Sequence, residues 1–276
     1  MAGPVGGIRP AWTIGDLDRR QELAFGGLVF GAYLLAALWA HEVSLPGSVL
    51  IWFPPAGVAI AGTYFAPRTV VAVALAEMIS TPWIMGFGEA YGIVPLVVNS
   101  IGIAVGLSLG GWFMRRLALD PRLRTPEDVA VLLGGIGFAA LVTTVIGIGV
   151  QWWIGLVERG DLLTDGAVFW IGDVVGATCL LPAAVIAGSA AMAGLRPPVS
   201  DREAPVPGWL LSLEILTPSI TALVLLEAGE QPLQFVYLAF VPVLVVAVRH
   251  GVAAAALATT LLAAVLTAGA HIQIDE

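Results

Sequence analysis

Apolar runs long enough to cross a bilayer recur from one end of this sequence to the other, and they constrain the possible folds more than any motif does. A transmembrane helix needs about 17–25 mostly apolar residues. Nine segments meet that requirement. They are 23–40, 49–66, 69–86, 91–113, 129–156, 167–187, 209–226, 232–248 and 251–270. The sequence therefore predicts an all-α fold, a polytopic transmembrane helical bundle of about nine helices, with eight to ten as the range.

The composition supports a bilayer as the solvent. Charged residues make up 12% of the chain and hydrophobic residues 58%, whereas a soluble domain carries about 25% charged residues. The first 22 residues are polar and the first apolar run has full spanning length, which is not the pattern of a secretory signal. The lipid bilayer is the predicted partner. The net charge of −8 argues against a nucleic acid.

The arginines predict the orientation. All twelve basic residues are arginine, and with nine helices eleven of them fall on one side, with only Arg159 opposite. The positive-inside rule makes that side cytoplasmic. We therefore expect residues 1–22 to be a cytoplasmic N-terminal segment, 23–270 the membrane domain and 271–276 a short tail outside. Multi-pass insertion in a bacterial cytoplasmic membrane is the predicted location.

No enzyme signature is present. The sequence lacks HExxH, GxSxG and the phosphate-binding GxxxxGK[ST] pattern. Its one cysteine, Cys179, lies in an apolar run and is read as a small buried side chain. We therefore predict no catalytic residues, no metal site and no cofactor.

A few polar side chains fall at depths where hydrocarbon is expected. Glu77 and Asp173 lie within predicted spans with no lysine or arginine at their depth, and Asn99 and Gln151 lie at related depths. Such groups usually face the bundle interior. A neutral acid could bond to Asn99 or to a hydroxyl, or a cationic or amine ligand could supply the missing charge. Glu214, nearer the cytoplasmic edge, is expected to be hydrated.

The second segment is interrupted by two prolines. Pro54 and Pro55 follow Trp52 and remove two backbone donors from the outer part of the predicted helix. Non-helical backbone at membrane depth is tolerated where it is buried or lines a cavity. The hypothetical ligand site therefore comprises Asp173, Asn99, Trp52, Pro54, Pro55, Gln151 and Glu77. A kink that only shapes the bundle is the alternative.

Glycines repeat at helical spacing in two segments. Gly102, Gly106 and Gly110 form one ridge, and Gly172 and Gly176 form a shorter one. Small residues at this spacing let a second helix approach closely. Packing inside the bundle is favoured over dimerisation.

Four stretches together resemble the MASE1 family, a membrane-associated sensor module of bacterial signalling proteins. They are IWFPPAGVAIAGTYFAPR (51–68), VVNSIGIAVGLSLGGWFMRR (97–116), FWIGDVVGATCLLPAAV (169–185) and LAFVPVLVVAVRHGVAAAALATTLLAAVLTAGA (238–270). The third matches the family pattern at Trp170, Gly172, Asp173, Gly176 and Pro182, and the fourth at Pro242, Arg249 and Gly251. The resemblance covers about residues 25–270.

The resemblance implies stimulus sensing, with a histidine kinase, a diguanylate cyclase or another signalling protein as the output. No output domain lies within these residues, so we expect either a stand-alone member or a truncated chain. The function predicted is detection of a small molecule or partner protein, transmitted by helix rearrangement. A secondary transporter or ion-coupled carrier is the first alternative, because buried acids and broken helices suit it equally. A membrane anchor for a signalling protein is the second.

Overall fold

The computed structural model describes residues 19–42, 53–84, 92–193, 208–227 and 240–272, and the regular structure within these ranges is helical throughout. The helices are α1 (Arg19–Glu42), α2 (Pro55–Phe65), α3 (Val70–Ile84), α4 (Ile93–Arg116), α5 (Pro126–Trp153), α6 (Leu162–Ala193), α7 (Gly208–Glu227) and α8 (Phe240–Ile272). The all-α prediction is confirmed for the described residues.

Helix α2 begins in the middle of a predicted span. Its first residue is Pro55 and its N-cap is Pro54, so neither position contributes a backbone donor that would need a partner. Eleven residues of helix rise about 16 Å, roughly half the hydrocarbon thickness of a bilayer. At the other end of α2, the guanidinium of Arg115 donates to the carbonyl oxygens of Thr63 and Tyr64 and satisfies two terminal acceptors.

The chain reverses between α2 and α3, as the short Pro67-Arg68 connection predicts. A single 3₁₀ turn, Pro67–Thr69, separates the two helices. Arg68 pairs with Glu22 near the start of both α1 and α3, and further along both helices Tyr33 bonds to Glu77, so α1 and α3 run parallel. Phe25 meets Phe65 at the far end of α2, which makes α1 and α2 antiparallel.

The glycine ridge of α4 packs inside the bundle. A Cβ added to Gly106 would lie 2.8 Å from the Thr143 methyl, and one added to Gly110 would lie 2.9 Å from the Gly135 carbonyl oxygen. Both neighbours belong to α5. The ridge therefore brings α4 and α5 into close contact, and the prediction of packing within the chain is confirmed.

Helices α1 to α6 share one continuous apolar core. Its buried members come from α1 to α6 and from the α4–α5 connection, with one contribution from α8, and include Tyr33, Ile60, Leu107, Ile136, Leu181 and Ala256. Helix α2 occupies the centre, because it contacts α1, α4 and α6. The short helix is thus enclosed by longer ones.

The last two helices form a smaller unit, and α8 folds back on itself. Leu262 packs with Ala222 in a cluster that also includes Val243. In a continuous helix Val243 and Leu262 would be about 28 Å apart. The reversal occurs at Gly251, whose φ of 80° and ψ of −175° are not helical. The sequence predicts two helices meeting at Arg249-His250, and the packing of α8 agrees with that reading.

Five described helices are long and apolar enough to cross a membrane. They are Arg19–His41, Ile93–Arg116, Pro126–Trp153, Leu162–Ala190 and Val241–Leu266. A shorter apolar helix covers Leu211–Val224. The last of the five contains the Gly251 reversal, so it consists of two shorter helices and not of one long span.

Candidate functional site

The residues before α2 dock onto α6 through its two glycines. The backbone N–H of Phe53 donates to the carbonyl oxygen of Gly172 at 3.1 Å. One turn further, a Cβ on Gly176 would overlap the backbone of Phe53. Glycine is therefore required at position 176 by this close approach. The proline motif of the second segment and the glycine motif of the sixth thus form one structural unit.

Asp173 lies between those two glycines and is 3% exposed. Its carboxylate accepts a hydrogen bond from the Thr143 hydroxyl of α5 at 2.5 Å. The same hydroxyl lies 2.9 Å from the carbonyl oxygen of Ala140 in its own helix. A hydroxyl has one proton to donate and can also accept. Thr143 can therefore bond to Asp173 as donor or, if Asp173 carries a proton, as acceptor.

Glu77 lies on α3 and is 6% exposed. One carboxylate oxygen accepts a hydrogen bond from the Tyr33 hydroxyl of α1. The other accepts from Thr81, one turn along the same helix, at 3.1 Å. Hydroxyl groups from two helices therefore hydrogen-bond to both carboxyl oxygens of this buried acid.

The start of α2 lies between the two acids. The ring of Phe53 packs edge-on against the ring of Tyr33, with centroids 6.4 Å apart, and the Phe53 backbone contacts the α6 glycines beside Asp173. Glu77 and Asp173 are close enough to interact electrostatically. The N-terminus of α2 also brings the positive end of a helix dipole to this level.

Neither acid has a cationic partner within the described ranges. The ion pairs found there join Arg68 to Glu22, and Arg249 and His250 to Glu214. Among the described residues, the side-chain hydrogen bonds to the Glu77 and Asp173 carboxyl groups come from hydroxyls. The arrangement can hold a proton, accept hydrogen bonds from a ligand, or neutralise a small cation.

The other predicted site residues have different surroundings. Pro54 and Pro55 are buried at the start of α2. Asn99 is 5% exposed on α4, and among the described residues none forms a hydrogen bond with its amide. The hydroxyl of its neighbour Ser100 is fully buried and also lacks a partner there. Gln151 is half-buried near the end of α5. Trp52 lies outside the described residues.

Two hydrogen-bond partners of the acids were not predicted from the sequence. Tyr33 and Thr143 are hydroxyl residues in long apolar runs, a pattern that occurs in many transmembrane helices. The signal for Tyr33 is its position, because tyrosine usually lies at a membrane interface and Tyr33 is in the middle of α1. Thr143 differs from Thr144 only in the direction its side chain takes, which sequence does not show.

A second polar cluster joins α7 to the reversal in α8. Glu214 pairs with Arg249 at 2.7 Å and with the ring of His250, which is 4% exposed. The expectation that Glu214 is simply hydrated was wrong, because the fold-back at Gly251 brings two basic side chains to it. The matched pattern Pro242, Arg249 and Gly251 therefore has a structural role: the glycine allows the reversal and the arginine pairs across it.

An all-helical fold with span-length apolar helices, a short central helix and two enclosed acids is that of a membrane-type helical protein. The family model named MASE1 matches residues 25–274. The chain belongs to the MASE1 family, whose members are membrane-associated sensor modules. No curated protein and no solved structure showed a significant match to the chain.

Proposed function

We propose that this chain is a sensory module of a bacterial cytoplasmic membrane, with a stimulus site formed by Glu77 and Asp173 around the start of α2. The observation that carries the proposal is the enclosure of two carboxyl groups, 6% and 3% exposed, with only hydroxyl partners among the described residues. A buried charge without a partner is strongly unfavourable. The site therefore suits a ligand that donates hydrogen bonds or carries positive charge.

The two acids are bonded to different pairs of helices, so a stimulus that binds both acids can be transmitted as a change in helix packing. Glu77 and Tyr33 join α3 to α1, whereas Asp173 and Thr143 join α6 to α5. A ligand that binds both acids changes the relative stability of two helix arrangements if its affinity for them differs. Histidine kinases, diguanylate cyclases and other signalling proteins are the proposed downstream partners.

The ligand class can be tested on the purified full chain. We would measure the thermal unfolding temperature in detergent against a panel of small cations, amines and hydrogen-bond donors. A compound that raises the temperature should lose its effect in Asp173→Asn. Asp161→Asn is the matched control, because Asp161 is an exposed acid on the loop before α6. An unchanged response in Asp173→Asn would show that the stimulus site lies elsewhere.

The rival transporter function rests on the same observation of buried acids beside a broken helix. Proteoliposomes that contain the chain would distinguish the two functions. A sensor should bind the stabilising compound without accumulating it inside the vesicle. Accumulation that depends on Asp173 would favour the transporter.

The proposed topology of nine crossings, with the N-terminus in the cytoplasm, has its own test. A compartment-sensitive reporter fused after Glu276 should report an outside location. An inside location would mean that one of the tight reversals, at Pro67-Arg68 or at Arg249-His250, is not preceded and followed by complete crossings.

A further inference from the structure

A groove of about 610 Å³ opens between α1 and α3, and neither Glu77 nor Asp173 lines it. It lies at the end of the bundle where α1 begins and where the α2–α3 turn falls. Its polar end is formed by Arg19, Glu22 and Arg68, and its apolar part includes Leu23, Gly27 and Leu75. The groove is therefore amphipathic along its length.

The polar end carries excess positive charge. Arg68 pairs with Glu22 at 2.6 Å, yet its side chain is 82% exposed. Arg19, at the first turn of α1, is also exposed. Two guanidinium groups against one carboxylate leave a net charge of about +1 at this rim. Guanidinium groups bind phosphate through paired, charge-assisted hydrogen bonds.

The apolar end is open and shallow because two of its residues are glycines. A Cβ on Gly26 or Gly27 would meet no atom within 4 Å. Leu23, Val71 and Leu75 border the groove and are 70%, 62% and 52% exposed. Large apolar side chains exposed to this degree in a membrane protein face lipid chains. An acyl chain can therefore lie along the glycine floor with its headgroup at the arginines.

We propose that this groove binds one phospholipid with an anionic headgroup, whose phosphate contacts Arg68 and Arg19 and whose acyl chain covers Gly26 and Gly27. Charge complementarity selects the headgroup, since basic sites between helices near the membrane surface favour anionic lipids. Glu22 opposes this selectivity, because its carboxylate already accepts a hydrogen bond from the Arg68 guanidinium.

Native mass spectrometry of the full chain can count the lipids that remain bound. The detergent-solubilised protein would be titrated with dioleoyl phosphatidylglycerol and, separately, with dioleoyl phosphatidylcholine. We expect one adduct that forms at about fivefold lower concentration of the anionic lipid. Arg19→Gln combined with Arg68→Gln should remove this preference. Glu22→Gln should strengthen the preference for the anionic lipid, and simple loss of structure cannot produce an increase.

Variants that fill the groove without changing its charge test whether the lipid occupies the groove or is attracted only by the positive charge. A Cβ added at Gly27 meets no atom within 4 Å, so Gly27→Leu should keep the fold, fill part of the groove and lose the adduct. Gly137→Leu on α5 is the matched control, because a Cβ added there also meets no atom within 4 Å. Equal binding by these two variants would overturn the proposal. So would equal binding of both lipids by the unchanged chain, or a dimer that appears in place of the adduct.

Discussion

The backbone N–H of Phe53 donates a hydrogen bond to the carbonyl oxygen of Gly172 at 3.1 Å, across more than a hundred residues of chain. Phe53 precedes the two prolines that start α2, so its N–H is the last backbone donor before that of Ala56. Gly172 precedes the buried Asp173. This bond therefore holds the start of α2 beside an acid of the proposed site and joins the proline motif to the glycine motif.

The close approach of Phe53 to α6 predicts a steric effect at position 176. Gly176→Ala should lower the free energy of unfolding by about 1–3 kcal/mol, because the new methyl overlaps backbone that cannot rotate away. Gly149→Ala is the control, since a Cβ there meets nothing within 4 Å. Reversible denaturation in mixed micelles would compare the two variants. Equal stability of the two variants would show that the backbone of Phe53 does not pack tightly against Gly176.

Adjacent threonines on α5 should behave differently. Thr143→Val removes the hydroxyl that bonds to Asp173 and should lower the free energy of unfolding by about 1–3 kcal/mol. Thr144→Val removes a buried hydroxyl that has no partner among the described residues, so it should be neutral or stabilising. The same denaturation measurement applies. A larger loss in Thr144→Val than in Thr143→Val would contradict the assignment of Thr143 to Asp173.

The contact between Tyr33 and Glu77 can be measured by a double-mutant cycle. Tyr33→Phe and Glu77→Gln should show a coupling of about 1 kcal/mol or more, because each residue is the direct partner of the other. The cycle of Tyr33→Phe with Asp173→Asn provides the comparison and should give a smaller coupling. If both couplings were near zero, Tyr33 would not be a partner of either acid in the folded protein.

The reversal within α8 predicts a specific cross-link. In a Cys179→Ser background, cysteines at Val243 and Leu262 should be joined by a short bifunctional reagent, since both positions belong to one packed cluster. Leu244→Cys with Leu262→Cys is the control, because Leu244 is 65% exposed and faces away from the cluster. Failure of the first pair to cross-link would indicate a continuous helix.

Gly251 should be the residue that permits this reversal. Its φ of 80° with ψ of −175° is a conformation that residues with a Cβ rarely adopt. Gly251→Ala should therefore lower stability by about 1–3 kcal/mol and reduce the yield of the cross-link between positions 243 and 262. An unchanged yield would place the hinge at another residue.

Local features of the sequence were enough to predict the helices and several of their ends. The apolar runs predicted where helices form, Pro54 and Pro55 predicted an interrupted second segment, and Pro67 with Arg68 predicted a tight turn. The glycine ridge of α4 predicted close packing within the chain. These inferences succeed because each depends on a local property: the hydropathy of a segment, the missing N–H of a proline or the missing side chain of a glycine.

The partners of the buried acids could not be predicted in the same way. Sequence showed that Glu77 and Asp173 lacked basic neighbours at their depth, but many hydroxyl residues were available to bond with them. Which hydroxyl faces an acid depends on helix rotation and crossing geometry, and those are settled by packing over the whole bundle. Glu214 shows the same limit, because only the fold-back at Gly251 brings Arg249 and His250 to it.

The sequence by itself thus determined that this chain is a helical membrane protein, where its helices are interrupted and which acids require an explanation. Tertiary structure alone decided that Tyr33 and Thr143 hold those acids, that Phe53 lies between them and that Arg68 borders an open groove. The physical reason is that insertion and helix formation depend on composition over short stretches. Side-chain pairing depends instead on the distances between helices that are far apart in the chain.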